Sequence, residues 1–481
     1  MNKYIIALFV LLALDGELRA QNVNFKIHLR GVYESKVSLQ SLTGNSIKTV
    51  VQSPAIKGGT TGLLSVPKDQ LPGAFILRFD YKEKETSAPY PSEKQIIINS
   101  QDLELWVHPQ FVNNPDSTYF QKGELENRLA LNFAMENAKK KEKLNLLQNF
   151  LVGYDEPESA FYQSGIHEFE KRRQEYNTWL QSWSAGNKSQ FASQIFQFQY
   201  VPDVAWQGTE KERLNSVVET YFEGVDFSDP LILKTRELRD WMNGYVNIYG
   251  SMSTTEALRD SLFTLAGTRA IEKAKEGHPL VYGWMVDYFY NGYESFNIEP
   301  GIQMLQTYLS DPRCLTSKRL EISKRFKGIE TMVPGSMAPD FMTTDASGKP
   351  VLFSKYKTDL SYKLVLFWSA DCHHCKELVK ELYPWYQAIG KDYMDVFAMS
   401  LDFTDLEISR WEEAKSKLAG WKHSRPEGGV NSPVADAYYV LSTPVMVLVD
   451  SKTNKIVALP GNVGQLEKPI RSSNIPAKEV K

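Results

Sequence analysis

Two cysteines three positions apart, Cys372 and Cys375, close a run of apolar residues in the stretch FWSADCHHCKEL. No other feature constrains the chain as much. Lys363-Leu364-Val365-Leu366-Phe367-Trp368 is nearly all apolar, the pattern of a strand buried on both faces. Beyond it, Cys375, Leu378, Val379, Leu382, Tyr386 and Ile389 recur at helical spacing, with Pro384 expected to kink the helix. Cys372 then falls where a strand ends and a helix begins. A helix N-terminus offers unpaired N–H groups and partial positive charge, and both favour a thiolate. The thiolate is the attacking form of cysteine, so Cys372 reads as the nucleophile. Cys375, one turn on, is placed to close on it. A protonated His374 would favour the thiolate and Asp371 would oppose it. Cys372-His373-His374-Cys375 is also a set of soft metal ligands, so a redox pair and a metal clip both stand at this point. Four consecutive residues rarely complete one tetrahedron, and His373 should point away from Cys375 on a helix start. The redox pair is therefore the better reading, with no metal expected.

The chain of 481 residues is long enough for about three domains. Buried-strand patterns at 396–401, 445–449 and 456–459 alternate with a helical pattern at 406–418, which implies an α/β domain over 331–481. Val333-Pro334-Gly335 and Ala338-Pro339 form its entry, followed by an expected hairpin around Ser347-Gly348. Residues 21–112 carry β-prone runs, such as the alternation Leu103-Glu104-Leu105-Trp106-Val107, with turn signals at Gly58-Gly59 and Pro72-Gly73. They read as a small antiparallel β-sandwich. Residues 113–330 read as an α-helical domain, with Leu214, Val217, Val218, Tyr221 and Phe222 on one helix face. Ser228-Asp229-Pro230 and Ser310-Asp311-Pro312 are helix-start signals. Trp179, Trp183, Trp206, Trp241 and Trp284 are expected in its core.

Lys3, an apolar run at 5–14 and Ala20 before Gln21 read as a signal peptide over residues 1–20. Export places the cysteines where disulfides form and persist. Three cysteines are too few for a disulfide-stapled scaffold, and Cys314 reads as a small buried residue. The net charge of −3, without like-charge blocks, gives no reason to expect nucleic acid as a partner. No segment after the signal reads as transmembrane.

FWSADCHHCKEL, STPVMVLVD and the entry VPGSMAPDF together resemble the TlpA/ResA-like thiol–disulfide oxidoreductases of the bacterial envelope, which have a thioredoxin-like fold. The resemblance covers about the last third of the chain. It implies a redox-active disulfide Cys372–Cys375 in place of a cofactor, with a cis proline at Pro444, after Thr443, beside it. Trp368 and His374 join Thr443 and Pro444 as active-site support. It also implies protein thiols or disulfides as substrates, an envelope redox partner, and a place in the periplasm or cell envelope of a Gram-negative bacterium. The β-rich region is similar to a domain of unknown function that often precedes such domains. EGVDFSDPLILKT, residues 223–235, is similar to a helical domain of the same context. Three positions depart from the pattern. Asp371 replaces the tryptophan that plain thioredoxins place before the first cysteine. Leu366 stands where they carry a buried aspartate, and Leu378 where many TlpA/ResA-like members carry glutamate. The motif therefore names no proton-handling group. The alternative is an envelope binding or scaffold protein whose Cys-His-His-Cys motif holds a metal or is redox-inactive.

Overall fold

The computed structural model describes residues 22–41, 47–345 and 347–472. The expected signal segment, 1–20, lies outside the described residues. The chain forms two compact units, one ending at Ser317 and one beginning at Lys318.

In the first unit, strand Val23–Leu29 buries every second side chain, as a strand with one face on a core must. It lies between Thr61–Val66 and Leu103–Val107 in one sheet; a second sheet runs Lys48–Gln52, Glu34–Ser41, Gly73–Lys82, Tyr90–Ile98. Phe25, Ile27, Leu64 and Leu105 from the first sheet share one apolar core with Val37, Leu39, Leu77 and Phe79 from the second. This is the expected sandwich, with one correction: it is not wholly antiparallel. Val23–Leu29 pairs in parallel with Leu103–Val107, Ile27 opposite Leu105. Between these two strands the chain crosses to the second sheet, returns at Thr61–Val66 and crosses again, and so long a connection permits parallel neighbours. The sheet also takes in Tyr119–Phe120, beyond residue 112.

Helices Glu126–Gly153, Ala160–Gly186, Glu237–Ser251, Glu256–Lys275 and Pro279–Phe296 dominate the rest of this unit. Of the five expected core tryptophans Trp206 is buried, and Trp179, Trp183, Trp241 and Trp284 are half-buried. Phe133 stacks on Phe196 and on Trp179, at centroid distances of 3.8 and 5.5 Å, and Trp206 meets Phe169 edge-on. Asp229 caps a short 3-10 helix, Pro230–Lys234, as its signal implies. The matching signal Ser310-Asp311-Pro312 starts no helix. The Asp311 carboxylate accepts the Arg313 N–H at 2.8 Å, closing a local turn, and the next helix begins at Arg319.

The second unit is built on a five-stranded sheet in the order Lys422–Ser424, Met394–Ser400, Tyr362–Trp368, Val445–Asp450, Ile456–Ala458. The first three strands are parallel; the last two pair antiparallel. Helices His373–Ala388 and Asp405–Ser416 form the crossovers. All seven residues of the central strand Tyr362–Trp368 are buried. Leu364, Leu366 and Trp368 face one apolar cluster, and Val365 and Phe367 the other. This is the thioredoxin-like α/β arrangement. Parallel pairing brings the ends of Tyr362–Trp368 and Met394–Ser400 to one edge of the sheet, where the cysteine loop emerges.

On the far face, Phe397 meets Phe353 and Tyr356 edge-on, each at 5.1 Å, and Phe341 at 6.3 Å. This aromatic group ties the entry hairpin to the sheet. Phe397→Ala should destabilise the protein by about 3–5 kcal/mol, read as a lower urea midpoint, whereas a loss under about 1 kcal/mol would show that the cluster does not hold the hairpin.

Candidate active site

Cys372 is the N-cap of helix His373–Ala388, with an extended backbone at φ −77° and ψ 124°. Its Sγ accepts the Cys375 N–H at 3.3 Å. Its thiol donates to the Thr443 carbonyl oxygen at 3.5 Å. Both cysteines are free thiols, so this is the dithiol state. Cys372 is partly exposed and Cys375 fully buried.

The two thiols are driven apart in acidity. Partial burial alone would raise the Cys372 thiol. Hydrogen bonds from the Cys375 thiol and N–H, with further ones from Thr443 and the His374 N–H, outweigh burial and hold Cys372 below the ordinary thiol range. Burial first, and then its bond to Cys372, push Cys375 up to about 12. One sulfur is poised to be an exposed anion, and the other keeps its proton behind it.

The remaining expected residues gather here. The Thr443–Pro444 peptide is cis. It leads into Val445–Asp450, whose Val445 lies opposite Phe367, so the peptide arrives beside the loop that follows Trp368. Trp368 ends the central strand and is buried in the same cluster as Cys375. The rings of His373 and His374 are exposed, with centroids 5.7 Å apart. His374 thus reaches Cys372 through its backbone N–H. Among the described residues, no group of three or more His, Cys, Asp or Glu is placed to hold a metal. Leu366 is fully buried, and Leu378 lines a cavity of about 170 Å³ with Pro444, Val445, Met446 and Leu459. Both positions are apolar. Cys314 is fully buried in the first unit.

Two residues at the site carry no signal in the motif. Arg410, from helix Asp405–Ser416, forms an ion pair with Asp371, so the carboxylate before Cys372 is paired rather than left to repel a thiolate. Asp402 is buried under the loop and bonded to Ser369 and Ala370. Both lie more than thirty residues downstream and meet the loop only because the two parallel strands end together.

Residues 334–458 match the AhpC/TSA family. Thiol–disulfide oxidoreductase ResA of Bacillus cereus is 28% identical over 135 residues, which span 27% of this chain and 72% of that protein. Among solved structures, the thioredoxin domain of a thiol–disulfide oxidoreductase from Bacteroides vulgatus is 26% identical, covering 29% of this chain and 97% of that one at a TM-score of 0.24. A thioredoxin-like protein from Bacteroides caccae is 15% identical, covering 56% of this chain and 97% of that one at a TM-score of 0.36. The similarity to ResA and to the AhpC/TSA family falls on the C-terminal unit, where the motifs lie.

With Cys372 below and Cys375 above the ordinary thiol range, iodoacetamide at neutral pH should label Cys372 alone, resolved by peptide mass spectrometry. Equal labelling of Cys375 would contradict the assignment. Arg410→Gln frees the Asp371 carboxylate beside the sulfur, so the Cys372 titration should move up. Because the ion pair is exposed, the rise should be at most about half a pH unit.

Proposed function

We propose that this chain is an exported thiol–disulfide oxidoreductase of the TlpA/ResA type, exchanging its Cys372–Cys375 dithiol or disulfide with protein substrates in the cell envelope. The observation that carries the reading is the pair of neighbouring thiols with opposite shifts in acidity, one at a helix N-cap and one buried behind it.

The reducing direction runs in two displacements. The Cys372 thiolate attacks one sulfur of a substrate disulfide. A Cys372–substrate disulfide forms, and the other substrate sulfur leaves as a thiolate. Cys375 then loses its proton and attacks the Cys372 sulfur. The Cys372–Cys375 disulfide forms and the second substrate thiolate leaves. Two electrons pass from the dithiol to the substrate, and the two protons end on the substrate thiols. The oxidising direction reverses each step. Continuous reduction needs an envelope dithiol partner to regenerate Cys372 and Cys375. The Thr443 carbonyl beside Cys372, with Pro444 next to it, marks where an extended substrate would lie. Trp368 supports the site from the core, and His374 supports it through its N–H.

Export is supported by the sequence of the first twenty residues. No described helix is long and apolar enough to cross a membrane.

Cys372→Ser should abolish reduction of insulin. Cys375→Ser should stop the cycle at the mixed disulfide, leaving a covalent adduct that reductant releases. Full turnover in either variant would contradict the assignment.

A further inference from the structure

Asp402 lies two residues past strand Met394–Ser400 and is 1% exposed. Its Oδ1 accepts the Ser369 hydroxyl at 2.5 Å; its Oδ2 accepts the Ala370 N–H at 3.0 Å and the Ser400 hydroxyl at 2.7 Å. A buried carboxylate is costly unless donors surround it, and here three do. Both carboxylate oxygens are placed to accept, from two hydroxyls and one backbone N–H. The same loop carries the cysteine. Ser369 Oγ accepts the Asp371 N–H at 3.1 Å, and the Ser369 carbonyl accepts the Cys372 N–H at 3.3 Å. Ser369 therefore touches Asp402 on one side and the backbone of Asp371 and Cys372 on the other.

We propose that Asp402 is a positioning residue for the thiol pair: its buried carboxylate clamps the Ser369–Ala370 turn that sets Cys372 at the helix cap. The role rests on the oxidoreductase reading for its purpose, but its geometry is independent of any substrate. Asp402 touches neither sulfur. It acts by fixing the path of four residues, so that the Cys375 N–H meets the Cys372 sulfur. If the turn is released, those hydrogen bonds weaken while the burial of Cys372 remains, and its titration moves up. Reach is lost as well, since a displacement of about 1 Å at a reacting atom can cost about a hundredfold in rate.

The test compares the full-length protein with Asp402→Asn and Ser400→Ala. The amide turns its own donors toward the loop's donors. Ser400→Ala removes a bond to the same carboxylate and one from the Asp402 N–H, while the two that Ser369 and Ala370 donate to Asp402 remain. Asp402→Asn should raise the Cys372 titration, followed by alkylation rate against pH, and slow insulin reduction about tenfold or more. Ser400→Ala should leave both within about twofold while lowering the melting temperature. Should Asp402→Asn fail to fold, Ser369→Ala removes one bond of the clamp and should move the titration the same way by less. An unchanged Cys372 titration in folded Asp402→Asn, or equal shifts in Ser400→Ala, would overturn the proposal. The titration reads the clamp without a substrate. An inert wild type would therefore overturn the oxidoreductase reading, while the titration alone still decides the role of Asp402.

Discussion

The hydrogen bond from the Cys375 N–H to the Cys372 sulfur, 3.3 Å long, exists only because a buried strand stops and a helix starts within four residues. At that point the helix has N–H groups with no intrahelical partner. A sulfur at the N-cap takes the place that a serine or aspartate oxygen usually fills. The rest of the unit can be read as what this contact requires. The central strand is buried on both faces and gives the loop a rigid base. The helix presents Cys375, Leu378 and Leu382 to the core, which orients the cap. The strand on the other side delivers the Thr443 carbonyl to the same sulfur.

Burial divides the labour between two chemically identical groups. Cys372 is partly open to solvent, with the Cys375 N–H donating to its sulfur and the Thr443 carbonyl beside it. Cys375 has no exposure, and its proton is hard to remove. Its deprotonation is therefore the demanding step once a mixed disulfide has formed: burial still holds the proton there, and only the smaller contribution of the bond to Cys372 is relieved. Leucine at 366 and 378 supplies no carboxylate for that step. Two charged groups that meet the loop serve other ends. Arg410 offsets Asp371 at the surface, and Asp402 is fully engaged below.

Much of this was legible in the sequence because the relevant contacts are local or rest on strong periodic patterns. A continuous apolar run, two cysteines and a helical stripe fixed the strand–cap–helix order, while Thr443-Pro444 was placed opposite by the resemblance of STPVMVLVD to the TlpA/ResA-like pattern. Asp402 and Arg410 were not legible. Their partners, Ser369 and Asp371, lie 33 and 39 residues away, and the contacts follow from the register of two parallel strands. Nothing in Ser400-Leu401-Asp402 distinguishes a clamp from a turn. The parallel pair in the β-sandwich was hidden for the same reason, since alternation reports which face is buried but not strand direction. Ser310-Asp311-Pro312 was misread because an aspartate that caps a turn and one that caps a helix have the same local sequence. His374 was expected to act through its ring, but its placement puts the ring in solvent and the backbone against the sulfur.

The central claim is that Cys372 and Cys375 form one two-electron couple. Equilibrating the full-length protein across a series of glutathione ratios, quenching with acid and counting alkylated thiols by mass tests it directly. The account predicts a single transition in which both cysteines become protected together, with a slope of about 30 mV per decade and Cys314 unchanged throughout. Thiols that stay open at every ratio, or that form mixed disulfides with glutathione independently without pairing, would contradict it.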